Sequence, residues 1–123
     1  MATKVVDGGL DIITNRMSGA GTAPNHVAWG TGAGTAAVTD TTLFTEAAES
    51  RTAGTETQQT TTVTNDTYQV VGTITSLSNQ TITNAGLFDA AAAGNLYLKG
   101  DFSGVPLLTG ESIQFTIKTQ FTN

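Results

Sequence analysis

The stretch "ESIQFTIKTQFT" (residues 111–122) decides the fold class. Ile113, Phe115, Ile117 and Phe121 fall on odd positions, with Ser112, Gln114, Thr116, Lys118 and Gln120 between them. A period of two sends successive side chains to opposite faces of an extended chain. One apolar face and one polar face mark an antiparallel strand with a core on one side and water on the other.

Working back from there, "QTITNAGLFDA" (80–90) and "NLYLKGDF" (95–102) read as a hairpin whose alanine-rich loop ends at Gly94. The segment "DTYQVVGTITSL" (66–77) is a strand rich in Val, Ile, Thr and Tyr, preceded by a tight turn at Asn65-Asp66. "RTAGTETQQTTTVTN" (51–65) is long, polar and β-prone, with Gly54 as a candidate bulge. "TTLFTEA" (41–47) fits either a strand or one helical turn after Asp40, and "HVAWG" (26–30) a short strand with Val27 and Trp29 on one face. Six to eight such strands predict a mainly β protein, an antiparallel two-layer β-sandwich or a jelly-roll-like barrel. Only "DGGLDIITNRMSG" (7–19) has helical spacing, through Leu10, Ile13 and Met17, with Asp7 as N-cap and Gly19 as stop. This predicts one short N-terminal helix that relies on packing against a sheet. Residues 1–7 read as a flexible N-terminal arm on a single domain spanning 1–123.

Composition narrows the function classes. The chain of 123 residues has the size of one ordinary domain. Threonine stands at about one residue in five, a β-branched side chain polar enough for the wet face of a sheet. Charged residues make up only 12%, and a sheet covered by Thr in place of Lys and Glu tolerates close approach by another protein. An assembled state is therefore expected. A net charge of −5 with five scattered Lys and Arg supplies no basic stripe, which argues against direct nucleic-acid binding. The absence of cysteine excludes disulfides and thiolate metal sites. No apolar run suggests a signal peptide or a membrane span.

The glycine run in "HVAWGTGAGTAAVTDTTL" (26–43) is the one stretch that invites a phosphate-binding reading. Gly30 and Gly32 fill two positions of G-x-G-x-x-G, but Thr35 stands at the third and no helix-forming sequence follows. The stretch reads as a turn. His26 is the sole histidine, and one imidazole makes neither a metal site nor a base–nucleophile pair. Asp40, Glu46 and Glu49 lie close together, yet their spacing matches no calcium loop. Asp40 reads instead as a cap, and Glu46 with Arg51 as an ion pair across a turn. Trp29 reads as core in preference to an exposed stacking platform. No acid, base and nucleophile come together, so no enzyme, no cofactor and no metal site is expected.

Three segments in order carry a resemblance: "GGLDIITNRMSG", then "HVAWGTGAGTAAVTDTTLFTEAAESR", then "ITNAGLFDAAAAGNLYLKGDFSGVPLLTGESIQFTIKTQF". The chain resembles small structural proteins of tailed-bacteriophage virions, of the capsid decoration or cement type, related in pattern to tail-collar fibre domains. Gly30, Thr31, Gly32, Asp40, Leu43, Glu46, Arg51, Gly86, Leu87, Phe88 and Asp89 carry the likeness, and residues 52–67 match least. The acidic residue usual before Gly-Leu-Phe is missing, since Asn84 and Ala85 stand there. The resemblance implies a non-enzymatic β-sandwich on the outer capsid shell, a homotrimer in contact with the major capsid protein. Two alternatives stand beside it: a tail, collar or baseplate component, and a carbohydrate-binding sandwich using Trp29, Tyr68 and Tyr97. The last requires at least two of those aromatics to be exposed together.

Overall fold

A computed structural model describes residues 1–123. Eight strands and one helix follow the order β1 (Thr3–Val5), α1 (Asp7–Met17), β2 (His26–Gly30), β3 (Thr52–Ala53), β4 (Thr55–Gln59), β5 (Thr67–Thr75), β6 (Gln80–Phe88), β7 (Leu96–Leu107) and β8 (Ser112–Gln120). They form a five-stranded sheet, β1-β7-β6-β2-β3, and a three-stranded sheet, β4-β5-β8, with every pairing antiparallel. The fold is mainly β, an antiparallel β-sandwich with one short helix.

Between the sheets lies the main core, which includes Val27, Trp29, Val70, Ile74, Ile82, Leu87, Tyr97 and Leu98. Trp29 and Tyr68 meet Phe115 and Tyr97 edge-to-face, at ring-centroid distances of 6.3 and 6.2 Å. On the opposite side of the five-stranded sheet a second cluster gathers Val6, Ala28, Leu43, Phe88 and Leu96. Residues 31–51 cover that side without forming a strand of their own, so β2 is buried on both faces. The ladder between β6 and β7 shifts register between Ile82 and Asn84, which turns Ile82 and Ala85 toward the same core.

The two sheets are joined by three connections. Gly54 alone carries the chain from β3 to β4, passing so close to Val70 that a Cβ there would collide with it. The predicted bulge is thus a change of sheet. Residues 76–79 and 108–111 make the other two connections, side by side, with Gly110 N–H donating to Ser76 O at 2.8 Å and Thr109 N–H to Asn79 Oδ1 at 3.0 Å. At the far end, α1 places Ile12 in the main core and Tyr68 Oη donates to Pro24 O at 3.0 Å.

Four expectations need correction here. Residues 1–7 are not a free arm: Thr3, Lys4 and Val5 pair with Gly100, Lys99 and Leu98, and Val6 is buried. Three ladder pairs and a buried valine hold what polarity alone suggested was loose. Of the Leu10, Ile13 and Met17 stripe only Ile13 packs against the core; Leu10 is 58% and Met17 83% exposed, while Gly9 and Ile12 are buried. Gly9 sits directly on the Tyr97 carbonyl, where a side chain would not fit, and this contact sets which face turns inward. Asp7 is the first helical residue and not the N-cap; Val6 occupies that position with no side-chain bond. Finally, Phe121 lies beyond the end of β8 and is half exposed, whereas Ile113, Phe115 and Ile117 do share the inner face.

Candidate functional site

Most positions that the resemblance singles out converge on the outer side of the five-stranded sheet, where they fasten residues 31–51. The Gly30-Thr31-Gly32 stretch is not a tight turn. Gly30 ends β2, and the chain runs on extended, with Thr31 N–H donating to Thr45 O (3.0 Å) and Gly32 N–H to Phe44 O (2.9 Å). A Cβ at Gly30 would meet Phe44 O and the Asn84 side chain, so glycine is required by close approach of a second backbone segment. Chain reversal comes later, at residues 37–40, where Asp40 N–H donates to Ala37 O and Asp40 Oδ2 accepts from Ala37 N–H at 3.0 Å. Asp40 is therefore a turn cap. The 41–47 segment is neither strand nor helical turn: Thr45 takes a left-handed backbone (φ 50°), and Glu46 forms a single bridge with Gly30.

Asn84, fully buried, reads both backbone groups of Phe44. Its Oδ1 accepts from Phe44 N–H at 3.0 Å and its Nδ2 donates to Phe44 O at 3.0 Å. A carboxylate at this place could accept the first bond but not donate the second. Asparagine thus supplies a donor here that an acidic residue would lack. Leu43 packs beside Phe88 and Leu96 in the outer cluster, and Gly86 lets Leu43 approach the sheet.

Arg51 and Lys99 fix the two ends of the outer layer. The Arg51 guanidinium meets Glu46 through Nε (2.9 Å) and Nη2 (3.0 Å), and donates from Nη1 to Ala90 O (3.0 Å) and Ala93 O (2.7 Å). It lies 3.5 Å above the Phe88 ring. The expected Glu46–Arg51 ion pair is present and joins the 46–51 segment to the alanine-rich loop. Asp89 steadies that loop, accepting from Asn95 N–H at 2.7 Å. Lys99 is 1% exposed and binds Asp40 Oδ2 (3.0 Å) and Thr42 O (2.8 Å) with its ammonium 3.2 Å over the Phe44 ring. The Ala37 N–H holds the Asp40 carboxyl below its ordinary range; partial burial opposes this and the Lys99 ammonium adds to it.

In the sequence Glu49 stands out only by its closeness to Asp40 and Glu46, as a candidate calcium ligand. The three carboxylates serve separate partners. Glu49 accepts from Trp29 Nε1 (2.9 Å), Leu77 N–H (2.9 Å) and Gln80 Nε2 (2.6 Å), binding the outer segment to β2, to the start of β6 and to the 76–79 connection. Burial acts to raise its pKa, but these donors outweigh it and the carboxyl lies below its ordinary range. No group of three or more His, Cys, Asp or Glu side chains is placed to hold a metal ion. Sequence reasoning also passed over Lys99 and Asn84 as fasteners; a lysine on a strand flanked by Leu98 and Gly100 gives no sign of its partner 59 positions away at Asp40.

His26 stands at the start of β2, opposite Phe88, and its Nδ1 has no hydrogen-bond partner. Trp29 and Tyr97 are buried and Tyr68 is half buried, so the three aromatics form no exposed stacking platform. The cleft beside Tyr68 and Tyr97, about 450 Å³, is lined by Ile12, Ile13, Met17 and Phe121, with Arg16 and Glu56 at its rim. The polar surface lies elsewhere. The outer face of the three-stranded sheet presents Thr55, Thr57, Gln69, Val71, Thr73, Thr75, Ser112, Gln114, Thr116 and Lys118, with Lys118 as its one charge.

No helix is long and apolar enough to cross a membrane. No protein-family model matches the chain, and neither a curated protein nor a solved structure is significantly similar to it.

Proposed function

We propose that this chain is a non-enzymatic structural protein of a tailed-bacteriophage virion, a capsid decoration protein that binds the outer shell and links neighbouring capsomers. The partner in this reading is the major capsid protein. The observation that carries it is the clasp. Residues of the 30–51 and 84–89 segments, far apart in the chain, come together to hold an irregular outer layer rigid, and each charged group among them is engaged by an internal partner. A motif used in this way maintains a shape. The broad threonine- and glutamine-rich face of the other sheet, with its single charge, offers a flat surface with little cost of desolvating ions. A rigid plate that binds two shell subunits adds its binding free energy to the work of separating them, repeated over every copy.

Quantitative mass spectrometry of purified particles tests the reading. A copy number equal to, or a simple fraction of, that of the major capsid protein is the expected result. A handful of copies per particle would move the protein to the tail or collar. Absence from particles would overturn a virion role altogether.

A further inference from the structure

Strand edges expose unpaired N–H and C=O groups, and proteins keep them from pairing by shortness, charge, proline or bulges. Most free edges here use such devices. Strand β1 has three residues and a lysine, and β3 has two residues. Strand β4 has five residues, including Glu56. The part of β7 that extends past β1 contains Gly104 and Pro106.

Strand β8 differs from all of these. It pairs with β5 through nine successive residues without a register shift, and it has no proline, no glycine and one charge, Lys118. The phase of its hydrogen bonds is fixed at both ends. Ser76 N–H donates to Glu111 O (2.8 Å) and Phe121 N–H donates to Asp66 O (2.9 Å), so odd-numbered residues bond toward β5. The backbone groups of Ser112, Gln114, Thr116, Lys118 and Gln120 therefore point out along the free edge, and all five residues are exposed. On the inner face Ile113, Phe115 and Ile117 are only half buried. A cleft of about 260 Å³ opens beside them, floored by Ala85, Leu98 and Phe102.

We propose that β8 pairs antiparallel with β8 of a second copy of the chain, across a two-fold axis at Thr116, joining two three-stranded sheets into one continuous sheet. This strand is self-complementary. Centred on Thr116, Ser112 faces Gln120, Gln114 faces Lys118 and Thr116 faces its own copy, so every outward backbone group finds a partner. No lysine faces a lysine. In the same register Phe115 lies opposite Ile117 of the second copy, and the half-buried apolar row continues across the axis. A contact of this kind is isologous and closes as a dimer. It differs from the trimer implied by the resemblance and does not depend on the virion reading.

Sedimentation equilibrium of the full chain, with Thr116→Lys and Thr116→Glu variants measured alone and mixed, tests the pairing. The wild type is expected at twice the chain mass. Each variant places like charges face to face at the axis and is expected at the chain mass with unchanged circular dichroism, and an equimolar mixture is expected to return to twice the mass. In the wild type, amide exchange at Gln114, Thr116 and Lys118 is expected to quicken on dilution, a readout that holds even if a variant folds poorly. A wild type that stays monomeric up to about 1 mM overturns the proposal. So does a trimer, or a dimer indifferent to both substitutions.

Discussion

At the scale of single residues, Asn84 and Arg51 show why similar side chains would not serve. Asn84→Asp keeps the acceptor for Phe44 N–H but sets a carboxylate oxygen against Phe44 O, which loses the Asn84 donor and keeps only Gly32 N–H. The expected loss is about 1–3 kcal/mol at neutral pH, measured by urea unfolding. The variant's carboxyl would have a raised pKa in the folded state, because its protonated form can donate to Phe44 O. The deficit should accordingly shrink as pH falls through that pKa, opposite in sign to the native acid response. Arg51→Lys keeps the charge and loses the fork. One ammonium cannot meet both Glu46 oxygens and both the Ala90 and Ala93 carbonyls, so a loss of about 1–2 kcal/mol is expected. Limited proteolysis should show it first as cutting within residues 90–94.

At the scale of elements, strands were legible where the chain alternates and illegible where contacts come from backbone proximity. Strand β8 follows its period of two across all nine residues, and β5 and β6 stand close to where β-branched residues place them. Gly54 gave a correct signal of interruption, but a glycine at a bulge and one at a change of sheet look the same in sequence. Helix α1 was placed correctly along the chain and rotated wrongly about its axis. Hydrophobic spacing counts side chains, whereas this helix docks through Gly9, which has none. The two faces make different predictions. Ile12→Ala should cost about 2–4 kcal/mol, while Leu10→Ala should change the unfolding free energy by no more than about 0.5 kcal/mol, both measured by urea unfolding. Residues 31–51 have no period to read. Their order comes from Asn84, Lys99 and Phe88 on distant strands, and only Asp40 as a cap and the Glu46–Arg51 spacing hinted at local links.

For the molecule as a whole, pH acts through groups that the fold has shifted in known directions. Asp40, Glu49 and Asp66 have lowered pKa values; for Asp66 the cause is the N–H groups of Val63 and Thr61, with that of Thr62 adding to them. A lowered folded-state pKa contributes stability that is present above the unfolded value, about 4, and is lost as pH falls through the folded one. Tyr68 and Tyr97 are shifted upward, by burial first. Their contribution is full below about pH 10 and fades as pH rises beyond it. Calorimetric melting should therefore give a plateau from about pH 5 to 9, with a fall on either side, and tyrosinate absorbance should rise together with alkaline unfolding.

The placing of the connections between sheets has a mechanical consequence. Residues 76–79 and 108–111 bind one short side of the sandwich like the spine of a book, and Glu49 reaches Leu77 and Gln80 there as a stitch. The opposite margin is held by the Gly54 crossing, by Ile12 and the Tyr68–Tyr97 contact, and by the Tyr68–Pro24 and Asn25–Glu56 bonds. Loosening of the sandwich is therefore expected to begin at that margin, where the 450 Å³ cleft lined by α1, Tyr68 and Phe121 stands, and amide exchange should report it there before it reaches the spine.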